Sequence, residues 1–156
     1  MSIKLLILDI DGVMTDGGMY YTESGDEFKR FNSKDGLGIQ RLIAKHGVNV
    51  GIISNGHNVN LINRRAALLG ISHVYVGKGN KLEKLISWCA NLNISLSDVA
   101  FIGDDINDLE CMQVVGTTAC PADAMPKIKS IAHTILTRKG GDACVREFIE
   151  MHWEII

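Results

Sequence analysis

Leu5-Leu6-Ile7-Leu8 is an unbroken apolar run that stops at Asp9-Ile10-Asp11-Gly12. Apolar residues without alternation read as a strand covered on both faces, the kind a parallel sheet uses. The same pattern recurs three times. Val48 to Ile53 stops at Ser54-Asn55-Gly56, His73 to Val76 at Gly77-Lys78-Gly79-Asn80, and Val99 to Ile102 at Gly103-Asp104-Asp105-Ile106-Asn107-Asp108. Helical spacing fills the gaps. Ile39, Leu42 and Ile43 share a face of a helix entered through Asn32-Ser33-Lys34-Asp35-Gly36, with Ser33 or Asp35 as its cap and Gly47 at its left-handed end. A second helix is predicted from Asn58 to Leu69, closed by Gly70. A third runs from Lys81 to Leu92, with apolar positions at Leu82, Leu85, Ile86 and Cys89. After Asp108 come a short helix, Gly116-Thr117-Thr118-Ala119, a helix around Ala124 to Ile131, a strand at Thr134 to Leu136 and a last helix from about Asp142. Alternating strands and helices predict an α/β fold with a doubly wound, mostly parallel, Rossmann-like sheet. One segment breaks the rhythm. In Gly17 to Phe31, Met19-Tyr20-Tyr21-Thr22 and Glu27-Phe28-Lys29-Arg30-Phe31 flank Glu23-Ser24-Gly25-Asp26, which predicts a β-hairpin.

Ligands of open parallel sheets bind beyond the carboxyl ends of the strands. Asp9/Asp11, Ser54/Asn55 and Asp104/Asp105/Asp108 all fall at such ends, and Lys81 opens the helix after the third strand. Residues two apart on a strand point the same way, so Asp9 and Asp11 start on one face, and Gly12 permits the sharp turn that follows. Buried carboxylates need positive charge nearby, and a hard divalent cation prefers oxygen ligands. The constellation suits phosphoryl transfer, which calls for positioning and for offsetting spread negative charge. A carboxylate can serve as nucleophile, while a hydroxyl, an amide and a lysine bind phosphoryl oxygens. Each element also has a plainer structural reading. Asp9 and Asp11 can be a helix cap and a turn residue, Ser54 a cap for the next helix, Lys81 a surface charge, and Gly103-Asp104-Asp105 a solvated turn.

Asp9-Ile10-Asp11-Gly12-Val13-Met14-Thr15 resembles the first motif of the haloacid dehalogenase-like phosphatases. The continuation Thr15-Asp16-Gly17-Gly18 is similar to the capless branch that dephosphorylates 3-deoxy-2-keto sugar acid phosphates. The resemblance extends from Ile3 to about Ile149. It implies Asp9 as nucleophile and metal ligand, and Asp11 as general acid and base whose backbone carbonyl also binds the metal. It further implies Asp104 as the third protein ligand of Mg2+, Asp105 and Asp108 as supporting acids with Asp108 behind the ligands, and Ser54, Asn55 and Lys81 as phosphate-binding residues. Ser33, Lys34, Asp35 and Gly36 resemble a substrate-contacting loop, although a plain capping segment accounts for them equally well. Asn107 stands where relatives contact substrate. Relatives carry arginines near Arg64 and Arg65, so Arg64 could pair with a substrate carboxylate, although a basic pair is usually a solvated helix face. Gly140-Gly141 and Arg146-Glu147 match a C-terminal pattern of the branch. Cap domains of larger relatives have no room here. In this branch hairpins assemble a homotetramer that helps cover the site, and Met19, Tyr20, Tyr21 and Phe28 suit that role. At Gly56 the octulosonate-type relatives carry arginine and the nonulosonate-type relatives glutamate. The chain has neither. It also ends at Ile156, soon after its last helix, so a tail folded over a neighbouring site is not expected.

The implied activity is a magnesium-dependent phosphatase of 3-deoxy-D-manno-octulosonate 8-phosphate, with a nonulosonate 9-phosphate as the alternative sugar. A rival of another class is a non-catalytic oligomerisation module of a sugar nucleotidyltransferase system. Composition narrows the partners. The chain has 156 residues, suited to one domain over 1–156, and its 22% charged content is that of an ordinary globular protein. A net charge of −2 gives no reason to expect nucleic acid or anionic membrane as partner. No apolar run is long enough to span a bilayer, and the N-terminus does not read as a signal peptide. Cys89, Cys111, Cys120 and Cys144 are widely spaced, which predicts unpaired thiols in a reducing cytoplasm. The five histidines show no ligand spacing and are expected to be structural or exposed.

Overall fold

A computed structural model describes residues 2–156. The first apolar run forms β1 (Leu5–Leu8), the centre of a six-stranded parallel sheet. The other strands are β4 (Asn49–Ser54), β5 (His73–Val76), β6 (Val99–Ile102), β7 (Thr117–Cys120) and β8 (Thr134–Ile135), in the spatial order β5-β4-β1-β6-β7-β8. β2 (Tyr20–Tyr21) and β3 (Glu27–Phe28) form the separate hairpin. The chain winds outward from β1 through β4 and β5, then crosses back to β6 and winds the other way. β1 therefore marks the reversal where such sheets open a crevice.

The helices are α1 (Ser33–His46), α2 (Val59–Leu69), α3 (Lys81–Leu92), α4 (Leu109–Met112), α5 (Pro126–Lys129) and α6 (Cys144–His152). Strand alternation sends side chains to both sides. Leu6 and Leu8 pack with Ile39, Leu42, Ile62, Ala66, Phe148 and Ile149 of α1, α2 and α6. Leu5 and Ile7 pack with Leu85, Trp88, Met112 and Ile128 of α3, α4 and α5. All four β1 side chains are fully buried. A buried aliphatic side chain of this size is worth about 1.5–3 kcal/mol, so β1 anchors both layers. No separate cap domain exists among the described residues.

Several local expectations shift. α1 starts at Ser33, because the Asn32 side chain accepts from the Lys34 amide at 2.9 Å and caps it; Ser33 and Asp35 lie inside the helix. Its end is as expected, with Gly47 left-handed at φ 61°. The hairpin arms are shorter than the sequence suggests, two residues each. Tyr20 stacks on Phe28 with centroids 5.2 Å apart, while Phe31 leaves the ladder for a bridge with Thr15. Lys29 turns inward instead of extending the strand.

Candidate active site

Register brings the strand ends together. Leu8 lies opposite Ile52 on one side and Ile102 on the other. Asp9 therefore leaves β1 level with the last turns of β4 and β6, and its amide still donates to the Ile102 carbonyl. A wide turn, Ile10–Met14, follows, closed by the Thr15 amide donating to the Ile10 carbonyl at 3.1 Å. Gly12 in that turn has φ +88°, and a Cβ there would collide with the Asp104 carboxylate. Only glycine combines that conformation with that approach.

Asp9 is buried and accepts from its neighbour's amide, Ile10 N, at 2.8 Å. Lys81 Nζ lies 3.2 Å from Asp9 Oδ1 and 2.8 Å from Asp108 Oδ1. Asp108 Oδ2 accepts from the Asp104 amide at 3.0 Å, so both Asp108 oxygens are engaged. Asp9, Asp104 and Asp108 bring carboxylate oxygens within 4.8 Å of one another. Three acids thus crowd one ammonium, and burial with this crowding shows in the protonation of Asp9 and Asp104. Burial, then the charge of Asp108, holds Asp9 well above the usual carboxylate range against the pull of Lys81. The same two causes push Asp104 up to about 7. Lys81 is raised by Asp9 and Asp108, which outweigh the desolvation that would lower it. A hard cation beside Asp9 and Asp104 would relieve this imbalance with oxygen ligands it prefers; the residues present fit one.

Asp11, Ser54, Asn55, Gly56, Asp104, Asp105 and Asn107 line a cavity of about 360 Å3 with Asp9 at its base. Larger depressions of about 580 and 500 Å3 run along α6 and the C-terminal segment, but hold none of these carboxylates. Ser54 is buried, and its Oγ accepts from the Gly56 amide at 3.1 Å. It does not cap α2, whose cap position is Asn58. The Asn55 side-chain amide donates to the Gly77 and Gly79 carbonyls at 2.8 and 3.2 Å. This side chain ties the β5 loop in place, while the residue lines the cavity. Asp105 takes the Ile106 amide at 2.7 Å on the cavity rim.

The loop expected to contact substrate is elsewhere in this chain. Asp35 is buried at the start of α6, where Oδ1 accepts from the Arg146 amide at 2.9 Å, and desolvation pushes its carboxyl up to about 6. Gly36 packs so closely that an added methyl would meet Arg65. Ser33 and Lys34 border other surface depressions. Arg64 is exposed away from the cavity. Its neighbour Arg65 is the engaged one, 3.5 Å from the Asn32 carbonyl and over the Phe31 ring.

Three side chains at the cavity escaped sequence reasoning. Lys29 Nζ is 2.7 Å from Asp11 Oδ1 and 3.5 Å from Glu27 Oε1. Glu27 Oε2 lies 3.3 Å from Nε2 of His57, a cavity-lining histidine. Period-two alternation in Glu27-Phe28-Lys29 was the available signal, since it sets Glu27 and Lys29 on the face opposite Phe28.

Residues 38–149 match the sequence profile of the haloacid dehalogenase-like hydrolases. The chain belongs to that family. It is 41% identical over 150 residues to the 3-deoxy-D-manno-octulosonate 8-phosphate phosphatase of Yersinia pestis, covering 96% of this chain and 79% of the relative. The crystal structure of the Yersinia pestis phosphatase superimposes with a TM-score of 0.92, covering 96% of this chain and 80% of that one. The Escherichia coli K12 phosphatase of the same name is 39% identical over the same shares. The Moraxella catarrhalis enzyme, solved with magnesium, phosphate and a KDO molecule, is 35% identical with a TM-score of 0.89, over 96% and 84%. The six-stranded parallel order and the absence of a separate cap agree with the expected fold class.

Proposed function

We propose that this chain is a magnesium-dependent phosphomonoesterase that hydrolyses 3-deoxy-D-manno-octulosonate 8-phosphate. The carrying observation is the Asp9, Asp104, Asp108 and Lys81 cluster at the floor of a cavity that Asp11 also lines. Octulosonate 8-phosphate phosphatases aligned over 96% of the chain support the substrate. Asp9 and Asp104 carboxylates, with the Asp11 backbone carbonyl, would hold Mg2+, and the acid crowding described above supports them as its ligands. When bound, the ion supplies positive charge that lets an anionic nucleophile approach an anionic phosphoryl group.

In the first step an Asp9 carboxylate oxygen attacks phosphorus and the bond from phosphorus to the sugar oxygen breaks. Asp11 gives its proton to that departing oxygen, leaving an aspartyl-phosphate on Asp9 and a neutral sugar hydroxyl. In the second step Asp11 takes a proton from water, whose oxygen attacks phosphorus. The Asp9 bond to phosphorus breaks, and inorganic phosphate and the free carboxylate are regenerated. Lys81, the Ser54 hydroxyl and nearby backbone amides are the donors to the phosphoryl oxygens. Asn107 on the rim is suited to the sugar.

The single-chain site is open, and the exposed hairpin residues Met19, Tyr21 and Phe28 are 53, 55 and 53% accessible. Their exposure supports a homotetramer built on hairpins. Four buried, unpaired thiols support a cytoplasmic location. No helix among the described residues is long and apolar enough to cross a membrane. The test is phosphate release from octulosonate 8-phosphate and a nonulosonate 9-phosphate, with magnesium and with chelator, alongside Asp9→Asn. Magnesium-dependent preference for the octulosonate, lost in the variant, is expected. Preference for the nonulosonate overturns the sugar, and unchanged hydrolysis by Asp9→Asn overturns the mechanism.

A further inference from the structure

We propose that Lys29 is a positioning residue for Asp11, so that the hairpin, through Lys29, aims the proton-transferring carboxyl at the leaving oxygen. The inference rests on the phosphatase reading above and goes beyond it. Among the described residues, Lys29 is the only side chain or amide that hydrogen-bonds the Asp11 carboxylate, at 2.7 Å to Oδ1. The Lys29 side chain is 3% exposed. Burying an ammonium is costly, and an ion pair meant only for stability gains little from such burial. The ammonium has a second contact, Glu27 Oε1 at 3.5 Å, and Glu27 Oε2 lies 3.3 Å from His57 Nε2. Asp11 Oδ2 is left on the cavity side, 3.5 Å from where a Cβ on Gly56 would stand. One oxygen is thus anchored and the other presented.

Asp9 is held at both ends, its backbone by β1 and the Ile102 carbonyl and its carboxylate by Lys81 and the Ile10 amide. Asp11 lies one residue into the turn, followed by the left-handed Gly12. A general acid must lie within hydrogen-bond reach of the atom it protonates, and small misplacements are expensive in rate.

The test uses leaving groups. A sugar alkoxide needs a proton as it departs; p-nitrophenolate does not. Full-length wild type, Lys29→Met, Lys29→Arg and Glu27→Gln are compared with magnesium on octulosonate 8-phosphate, and on p-nitrophenyl phosphate by its first-turnover burst. Lys29→Met is expected to lower kcat on the sugar phosphate by about 100-fold, the low end of what general acid–base catalysis contributes. KM should stay within roughly 3-fold, and the aryl burst should slow by less than roughly 3-fold. Lys29→Arg, which keeps a cation on Asp11, should recover about 10-fold or more. Equal losses on both esters, a change confined to KM, or full sugar activity in Lys29→Met would overturn the proposal. If Lys29→Met does not fold, Glu27→Gln decides: a several-fold loss on the sugar phosphate alone supports the role, and any other pattern refutes it. Wild type that cleaves neither ester overturns the phosphatase reading and this role with it. Active wild type with equal losses in the variants overturns this role alone.

Discussion

Asp104→Asn should stabilise the chain in chelator and destabilise it relative to wild type in magnesium. Asp104 shares a partly buried corner with Asp9 and Asp108, and its carboxyl is pushed from 3.8 to about 7 by burial and by the charge of Asp108. A shift of about 3 units corresponds to a ceiling of about 4 kcal/mol for keeping the group ionised. Asp104 keeps some solvent contact, so about 2 kcal/mol is the expected penalty. Asparagine removes the charge and keeps the size, and the Asp104 backbone bonds to Asp108 and Met125 are untouched. In chelator at pH 8 the variant should melt about 4–8 °C above wild type, at the 2–4 °C per kcal/mol usual for this chain length. Magnesium at about 100 times its dissociation constant should add about 2.7 kcal/mol to wild type and much less to the variant, reversing the order. The pH dependence has a definite sign. The folded chain binds this proton more tightly than the unfolded chain, so the penalty is absent below pH 3.8, grows with pH, and is complete above about 7. Wild type in chelator should therefore gain stability over the variant as pH falls from 8 to 5. Calorimetric melts at both pH values, with and without magnesium, provide the check. A variant that melts below wild type in chelator, or an equal response to magnesium, would refute the reasoning.

Gly12→Ala should abolish phosphatase activity, because its methyl meets Asp104 at a left-handed φ of +88°; turnover and magnesium-dependent melting report both losses. Lys81→Met leaves Asp9 and Asp108 buried without their cation. It should cost about 3–5 kcal/mol in chelator, as read by urea unfolding, and remove activity. Asp35→Ala should cost about 1–2 kcal/mol by uncapping α6. Asp35→Asn, measured beside it at pH 7, should cost less, since both variants discard the charge but asparagine keeps an acceptor for the Arg146 amide. Phe28→Glu, on the hairpin face away from Lys29, should lower the assembly size seen by light scattering; an unchanged tetramer would remove the hairpin from the interface.

Strand ends were legible because burial leaves a plain mark. Leu5–Leu8 and Val99–Ile102 have no polar residue, and each gives way to carboxylates within two residues. Parallel register sets Leu8 beside Ile102, which brings Asp9 to the strand end that Asp104 follows with Gly103 between. Helices with periodic faces and terminal glycines were legible for the same reason, as α3 and the end of α1 show. The loop at 32–36 was not. Asn32, Ser33 and Asp35 are all good caps, and choosing among them requires knowing that α6 packs over Asp35. The tie from the Asn55 side chain to the β5 loop was not legible either, since nothing nearby in sequence reveals that Gly77 and Gly79 present carbonyls to it. Lys29 and His57 depend on how the hairpin folds back over the turn, a contact between segments with no shared periodicity.

The two aspartates of the first motif differ in how they are held, and the difference follows from strand geometry. Asp9 continues the ladder of β1 and inherits the rigidity of a strand paired on both sides. A nucleophile gains from that, because its target is always a phosphoryl group in one place. Asp11 lies past the ladder, on a turn that glycine makes tight enough to pass Asp104. A group that gives a proton to one oxygen and later takes one from another must serve two positions, and a strand residue cannot. The fold supplies what the strand withholds through a side chain from outside the sheet, Lys29, at the foot of a hairpin whose other face carries Tyr20 and the exposed Phe28. A partner docked on that outer face would press on the two short strands that Lys29 directly follows, so the proposed assembly and the proposed proton transfer would meet in one hairpin.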